Sequence, residues 1–219
     1  MNNRYFLWGL MILFLSGCGK KDEGKKAKSY FNMAYAELMD EAPTHASYQQ
    51  ALQLVRQALD CEKKAEYYAL MATLLFNLGD EHEAQKAFDQ ALALEPNHEL
   101  RAQIMNNYAC LYAQMGNRAE AEKLWRSLTT DSWYPTPEVA WVNLGKLYLD
   151  GDQAKKAEQA FATAATLSPS YLDAHFYQAV AAKQAGDVGL AATTLEKVLA
   201  LEPGHQLAKQ LQEQMLLKA

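Results

Sequence analysis

The sequence predicts an all-α fold, a superhelical α-solenoid of about five helix-hairpin units closed by one further helix. Three observations predict it. A pattern of small, large and turn residues returns at a spacing of about thirty-four residues. Each copy holds two helix-period segments parted by a glycine-containing turn. Nothing between residues 30 and 218 reads as a strand.

The pattern is plainest over 138–171. Counted from Glu138, Trp141, Leu144, Gly145, Tyr148, Ala157, Phe161, Ala164 and Pro169 stand at positions 4, 7, 8, 11, 20, 24, 27 and 32. The unit at 65–101 repeats it with Tyr68, Met71, Ala72, Leu75, Ala84, Phe88, Ala91 and Pro96. Met105, Tyr108, Ala109, Tyr112, Ala121, Trp125 and Leu128 do so over 102–137. The unit at 172–205 has His175, Ala179, Ala182, Ala191, Leu195, Val198 and Pro203. A weaker copy at 29–64 has Tyr30, Met33, Ala34, Ala51, Val55 and Ala58, with extra residues in its helix–helix connection near Ala42-Pro43-Thr44. Residues 206–219 set Leu207, Leu211, Met215 and Leu216 on one stripe and glutamines and charges opposite, the pattern of a capping helix. These positions resemble the tetratricopeptide repeat, a pair of antiparallel helices.

Each position has a physical reason. Small residues at positions 8 and 20 let the two helices of a unit approach closely, and large ones at 4, 11 and 24 fill the space between units. Gly79, Gly116, Gly151 and Gly186 stand in the turns, where glycine is expected to supply a left-handed conformation. Pro96, Pro169 and Pro203 stop the second helices.

Upstream of the repeats, Met1 to Arg4 form a short charged segment and Tyr5 to Leu15 an apolar run. That run is too short to span a bilayer and has the length of an export signal. Leu15-Ser16-Gly17-Cys18 follows. The arrangement resembles the lipobox of bacterial lipoproteins, in which the chain is cut before the cysteine, the thiol takes diacylglycerol and the new amino group is acylated. The expected organisation is a signal peptide at 1–17, a lipidated Cys18 with a basic flexible tether over 18–28, and the repeat domain over 29–219. Lys20, Lys21, Lys25, Lys26 and Lys28 make the tether basic, so it reads either as a segment lying near anionic head groups or as a plain linker.

The formal net charge is −5, and removing the signal takes Arg4 with it to leave −6. A mildly acidic chain lacks the clustered cations that nucleic-acid binding needs. Cys61 and Cys110 fall in different repeats at different positions, which argues for unpaired buried thiols over a disulfide. The five histidines are scattered, and no Cys-x-x-Cys, His-Glu-x-x-His, phosphate loop or nucleophile–base spacing occurs. No enzyme activity, metal or cofactor is therefore expected. Glu81/Glu83 and Glu120/Glu122 read as solvated faces.

First helices of stacked hairpins line a concave face. Asn106 and Cys110, then Val139, Val142, Lys146 and Leu149, then Phe176, Val180 and Lys183 are expected there. Such a groove is rather apolar toward the C-terminus and would hold a peptide strand or amphipathic helix; the alternative is a groove narrowed by its own side chains, with the partner bound on the convex face or at the ends. Asn107 and Asn143 share position 6, where some repeat proteins grip a peptide carboxylate with Lys and Asn pairs, but the cluster of basic residues that such a clamp requires is missing here. The residues expected to bind a partner are thus Asn106, Asn107, Val142, Asn143, Lys146, Leu149, Phe176 and Val180.

Asn106-Asn107-Tyr108, the loop Trp133-Tyr134-Pro135 and Asn143-Leu144-Gly145, together with the lipobox, resemble the PilF/PilW family of type IV pilus biogenesis lipoproteins, the pilotins. That resemblance implies a non-enzymatic chaperone that binds secretin subunits and is lipid-anchored at the periplasmic face of the bacterial outer membrane. Gly19, rather than an aspartate, follows Cys18, in keeping with outer-membrane sorting. The alternative is another outer-membrane repeat lipoprotein, an adaptor for peptidoglycan enzymes or part of a β-barrel assembly complex.

Overall fold

The computed structural model describes residues 22–39 and 42–217. Cys18, the apolar run and the signal segment lie outside them. The described residues form eleven helices and no strand: α1 (22–36), α2 (His45–Cys61), α3 (Ala65–Asn77), α4 (Glu81–Ala93), α5 (His98–Gln114), α6 (Arg118–Leu128), α7 (Pro137–Asp150), α8 (Ala154–Leu167), α9 (Leu172–Gln184), α10 (Val188–Leu201) and α11 (Gln206–Leu216). Among them no helix is long and apolar enough to cross a membrane. The chain divides into two compact units, Met1–Ile104 and Met105–Ala219, with the boundary inside α5.

In the first unit, α1 begins upstream of the expected start at residue 29. Residues 22–28, read from sequence as tether, are helical, with Ala27 fully buried and Lys25, Lys26 and Lys28 exposed. Lysine is a good helix former, and this spacing puts the charges on the solvent face. The Phe31 ring packs on Tyr35 and Tyr67, with centroids 4.9 and 4.7 Å away. The connection to α2 spans 37–44, against 78–80 between α3 and α4, so the extra residues sit where expected. Thr44 closes that loop by accepting a hydrogen bond from the Ser47 N–H at 3.2 Å. In the α3–α4 hairpin, Ala72, Ala84, Phe88 and Ala91 are fully buried.

In the second unit, Ala109, Ala121, Ala157, Ala179 and Ala191 are all fully buried. At Gly145 even a methyl group is too large, because a Cβ there would lie 2.5–2.8 Å from three carbons of the buried Phe161 ring. The close approach of α7 to α8 therefore requires glycine.

The turns follow one geometry with one exception. Gly79, Gly116 and Gly186 have φ of 82, 78 and 85°. In the first, the Gly79 N–H donates to the Phe76 carbonyl and the Asp80 N–H to the Leu75 carbonyl. Gly151 was expected to play the same part but keeps a negative φ of −104°. Asp152 takes the left-handed conformation (φ 55°) and makes the equivalent bonds, its own N–H to Leu149 O and the Gln153 N–H to Tyr148 O. Glycine stands one residue early in this unit, and aspartate tolerates the left-handed region better than most residues. The Arg118 guanidinium, which donates to the Leu147 carbonyl, lies where a Cβ on Gly151 would stand.

At the C-terminal end, Ala208, Leu211 and Met215 of α11 pack with Phe176 around Ala179, Leu195 and Val198. Leu207 and Leu216, expected on the same stripe, are exposed. The packed residues follow helical spacing of three and four, and these two fall beside it.

Candidate partner-binding surface

The first helices of the second unit carry most of the expected site residues. Asn106 on α5 is their polar centre. Its Oδ1 accepts from the Trp125 indole N–H and from the Asn143 side-chain amide, each at 3.2 Å. Its Nδ2 donates to Asn107 Oδ1 at 3.3 Å. Trp125 is only 3% exposed, so Asn106 satisfies a buried donor that would otherwise be left unpaired. Asn106 thus ties α5 to α6 and α7, and Asn143 carries the network along the same side.

One turn beyond Asn143, the Lys146 ammonium lies 3.4 Å from Asp173 Oδ2 and 4.4 Å from the centre of the Tyr177 ring. Both partners are on α9, and this aromatic face and carboxylate hold the cation in place. All three side chains remain partly exposed. Cys110 on α5 is close enough to feel the Lys146 charge. Burial nonetheless dominates and raises its thiol from 9.0 to about 11, with Lys146 pulling the other way. The thiol is therefore neutral and a weak nucleophile at ordinary pH.

The loop between α6 and α7 completes this side. Trp133 is 61% exposed, whereas Tyr134 turns inward. Burial raises the Tyr134 phenol, and its hydrogen bond with Thr136 opposes that shift. Burial also raises Tyr171, with smaller contributions from the negative charges of Asp173 and Glu138. These phenols stay protonated at neutral pH and can donate.

Several expected contacts change role. Val142 is 1% exposed and belongs to the core of α7, so it is corrected from partner anchor to packing residue. Its position 5 is turned inward because α7 is buried on more than one side, with Ala140, Leu144, Leu147 and Tyr148 buried as well. Phe176 is partly buried: like Leu211 and Met215 of the cap it packs against the cluster of Ala179, Leu195, Val198 and Ala208, and it lies 5.0 Å from the His205 ring. Leu149 and Val180 remain partly exposed. Lys183 reaches the cap, donating to Gln214 Oε1 at 3.3 Å. The accessible surface is therefore polar and aromatic rather than apolar, and this difference comes from tertiary packing that repeat position alone does not encode. Tyr171, Asp173 and Tyr177 are its members that sequence reasoning missed; Asp173 and Tyr177 stand at positions 2 and 6 of their unit, the second of these shared with Asn107 and Asn143.

Chemically, this side offers amides, phenols, and the Lys146 ammonium with its partner carboxylate Asp173, and no activated nucleophile. Such groups suit hydrogen bonding to peptide main chain and to a carboxylate. Among the described residues no cluster of His, Cys, Asp or Glu could hold a metal ion, and Cys61 and Cys110 are free thiols.

Tetratricopeptide repeat family models match residues 65–126, 139–171 and 173–205. No curated protein matches the sequence. Among solved structures, MamA (residues 41 to the end) from Desulfovibrio magneticus RS-1 superposes with a TM-score of 0.67 at 26% identity, over 84% of this chain and 98% of that one. PilW, described as a widely conserved type IV pilus biogenesis factor, gives 0.71 at 24% identity over 82% and 79%. PilF of Pseudomonas aeruginosa gives 0.61 at 18% identity over 88% and 99%. Stacked repeats of this kind present extended surfaces to protein partners. With repeat models over more than half its length, and with the close-packing positions filled as a helical hairpin demands, the chain belongs to the tetratricopeptide repeat family.

Proposed function

We propose that this chain is a membrane-anchored repeat lipoprotein of type IV pilus biogenesis, acting as the pilotin that carries secretin subunits to the outer membrane and helps them assemble. The observation that carries the reading is the lipobox-like Leu15-Ser16-Gly17-Cys18 placed ahead of a tetratricopeptide array. Likeness in fold to PilW and PilF is in keeping with it. The anchor is acylated Cys18, at the periplasmic face of the outer membrane. Acyl chains contribute ~0.8 kcal/mol per buried methylene, so diacylglycerol and an amide-linked chain together hold the protein firmly. A partner held by an anchored protein is concentrated at one membrane, which favours ring assembly without any chemical step.

In this reading Asn107, Asn143 and Lys146 contact the partner, with Leu149 and Val180 as apolar neighbours. The partner is a polypeptide, and the mechanism needs no cofactor. A second reading, another outer-membrane repeat lipoprotein scaffold, draws on the same lipobox-like segment and on the repeat fold, which is shared as well with MamA.

Calorimetric titration of the purified chain with the pilus secretin subunit of the same genome tests the proposal. Binding is expected, and the Asn143→Ala and Lys146→Glu variants are expected to weaken it by at least about tenfold, or 1.4 kcal/mol. Absence of binding to the secretin, or equal affinity in both variants, would overturn it.

A further inference from the structure

We infer that the groove between α6, α7 and α8 is a second binding site, for an acidic peptide segment that carries an aromatic residue beside its carboxylates. The site does not depend on the pilotin reading. Its charged residues lie on second helices of the repeats, whereas Asn106, Asn143 and Lys146 lie on first helices.

The groove has a volume of about 370 Å³ and is lined by Arg126, Trp141, Tyr148, Lys156, Gln159 and Thr163. That size falls within the range of small-ligand clefts, roughly 300–1,000 Å³. Its lining supplies two cations, two aromatic rings and no carboxylate. The nearest acid, Glu122, stands behind Arg126. Its Oε1 accepts from Arg126 Nε at 2.8 Å and from the Tyr148 hydroxyl at 2.8 Å. Arg126 Nη2 also donates to the Tyr148 oxygen at 2.8 Å. This triangle fixes the guanidinium and uses two of its five N–H groups. Lys156 lies 5.7 Å from the Tyr148 ring centre and donates to Gln153 Oε1 at 2.7 Å, a neutral partner. Glu122 offsets one of the two positive charges, and the other is uncompensated. In a chain of net charge −5 this cationic groove stands apart.

A pre-oriented guanidinium recognises a carboxylate by paired hydrogen bonds. The part-exposed Trp141 indole offers a face for a ring, while Tyr148 is buried and serves to hold Arg126. Arginine and lysine side chains also bind phosphate, but phosphate leaves the Trp141 face unused, whereas a peptide with a ring beside its carboxylates engages both.

Nuclear magnetic resonance titration of the ¹⁵N-labelled chain, following the Trp141 indole N–H, tests the inference with three probes: the tripeptide Glu-Glu-Phe, the amidated peptide Gln-Gln-Phe and inorganic phosphate. Glu-Glu-Phe is expected to produce a saturable shift with Kd on the order of 1 mM or tighter, and the other two are not. Lys156 is exposed, so Lys156→Glu is expected to keep the fold, checked by circular dichroism, and to weaken the tripeptide at least about tenfold. Lys156→Gln is expected to weaken it in the same direction and carries the test should Lys156→Glu unfold. No saturable shift, an equal response to the amidated peptide or to phosphate, or unchanged affinity in the folded Lys156 variants would overturn it.

Discussion

Replacing Gly145 by alanine sets two well-defined effects against each other. Gly145 lies inside α7. Helix propensity alone therefore favours alanine by about 0.8–1.0 kcal/mol. The added methyl, however, would stand 2.5 Å from Phe161 Cε1, 2.6 Å from Cζ and 2.8 Å from Cδ1. Carbon atoms prefer about 3.5–4.0 Å, so the ring or the helix must move by about 1 Å. Phe161 is fully buried and has no solvent side toward which to retreat. Overpacking of this kind costs about 1–3 kcal/mol. The net expectation is a loss of about 1 kcal/mol, opposite in sign to the propensity effect. Urea denaturation followed by circular dichroism measures it. Ala179→Gly, at the same repeat position in the next unit, calibrates the sign: it is expected to destabilise by about 1 kcal/mol or more, since propensity and packing act together there. The Phe161→Leu background supplies the mechanism. Leucine lacks the ring edge that meets the methyl, so Gly145→Ala should be less harmful there, with a coupling of about 1 kcal/mol. Stabilisation of the otherwise natural chain by Gly145→Ala, or the same effect in both backgrounds, would refute the close-packing argument.

Asn106→Ala removes the acceptor of the buried Trp125 indole N–H and of Asn143; a loss of about 1–3 kcal/mol in chemical denaturation is expected, with Asn106→Asp, which keeps an acceptor, retaining more of the stability. Cys110, its thiol raised from 9.0 to about 11, is expected to react with iodoacetamide at pH 8 at least about a hundredfold more slowly in the folded chain than in urea, because the thiolate fraction falls from about one in ten to one in a thousand. The sign follows from the neutral form being the one the fold favours: raising the pH toward 11 restores reactivity and lowers stability. Lys146→Glu leaves the fold intact, since an exposed pair with Asp173 contributes only about 0–1 kcal/mol, so a large drop in thermal midpoint would count against its reading as a binding residue.

The architecture was legible because each repeat position answers to a steric demand the sequence displays. Ala72 and Ala84, Ala109 and Ala121, Gly145 and Ala157, and Ala179 and Ala191 are small where helices must touch, and the alanines among them are fully buried. Phe88, Phe161 and Leu195 fill the deepest positions with no exposure. What the pattern does not carry is the one-residue offset that hands the left-handed turn from Gly151 to Asp152. Nor does it reveal that α1 extends back to residue 22, because a run of lysines reads equally as solvent-facing helix and as tether. The candidate surface was legible only in part. Asn106, Asn143 and Lys146 are drawn together on one side by their repeat positions. Their partners Trp125, Asp173 and Tyr177 come from other helices, and the burial of Val142 depends on neighbours that the unit's own sequence does not name. Glu122, read as part of a solvated face, instead joins Arg126 and Tyr148 across two helices.

The most direct test of the pilotin account is the state of the secretin in outer membranes from a strain lacking this chain, complemented either with the natural sequence or with Cys18→Ser. The account expects secretin multimers to disappear in the deletion, to return with the natural chain, and to stay absent or mislocalised with Cys18→Ser. Normal multimers in the deletion strain would contradict it.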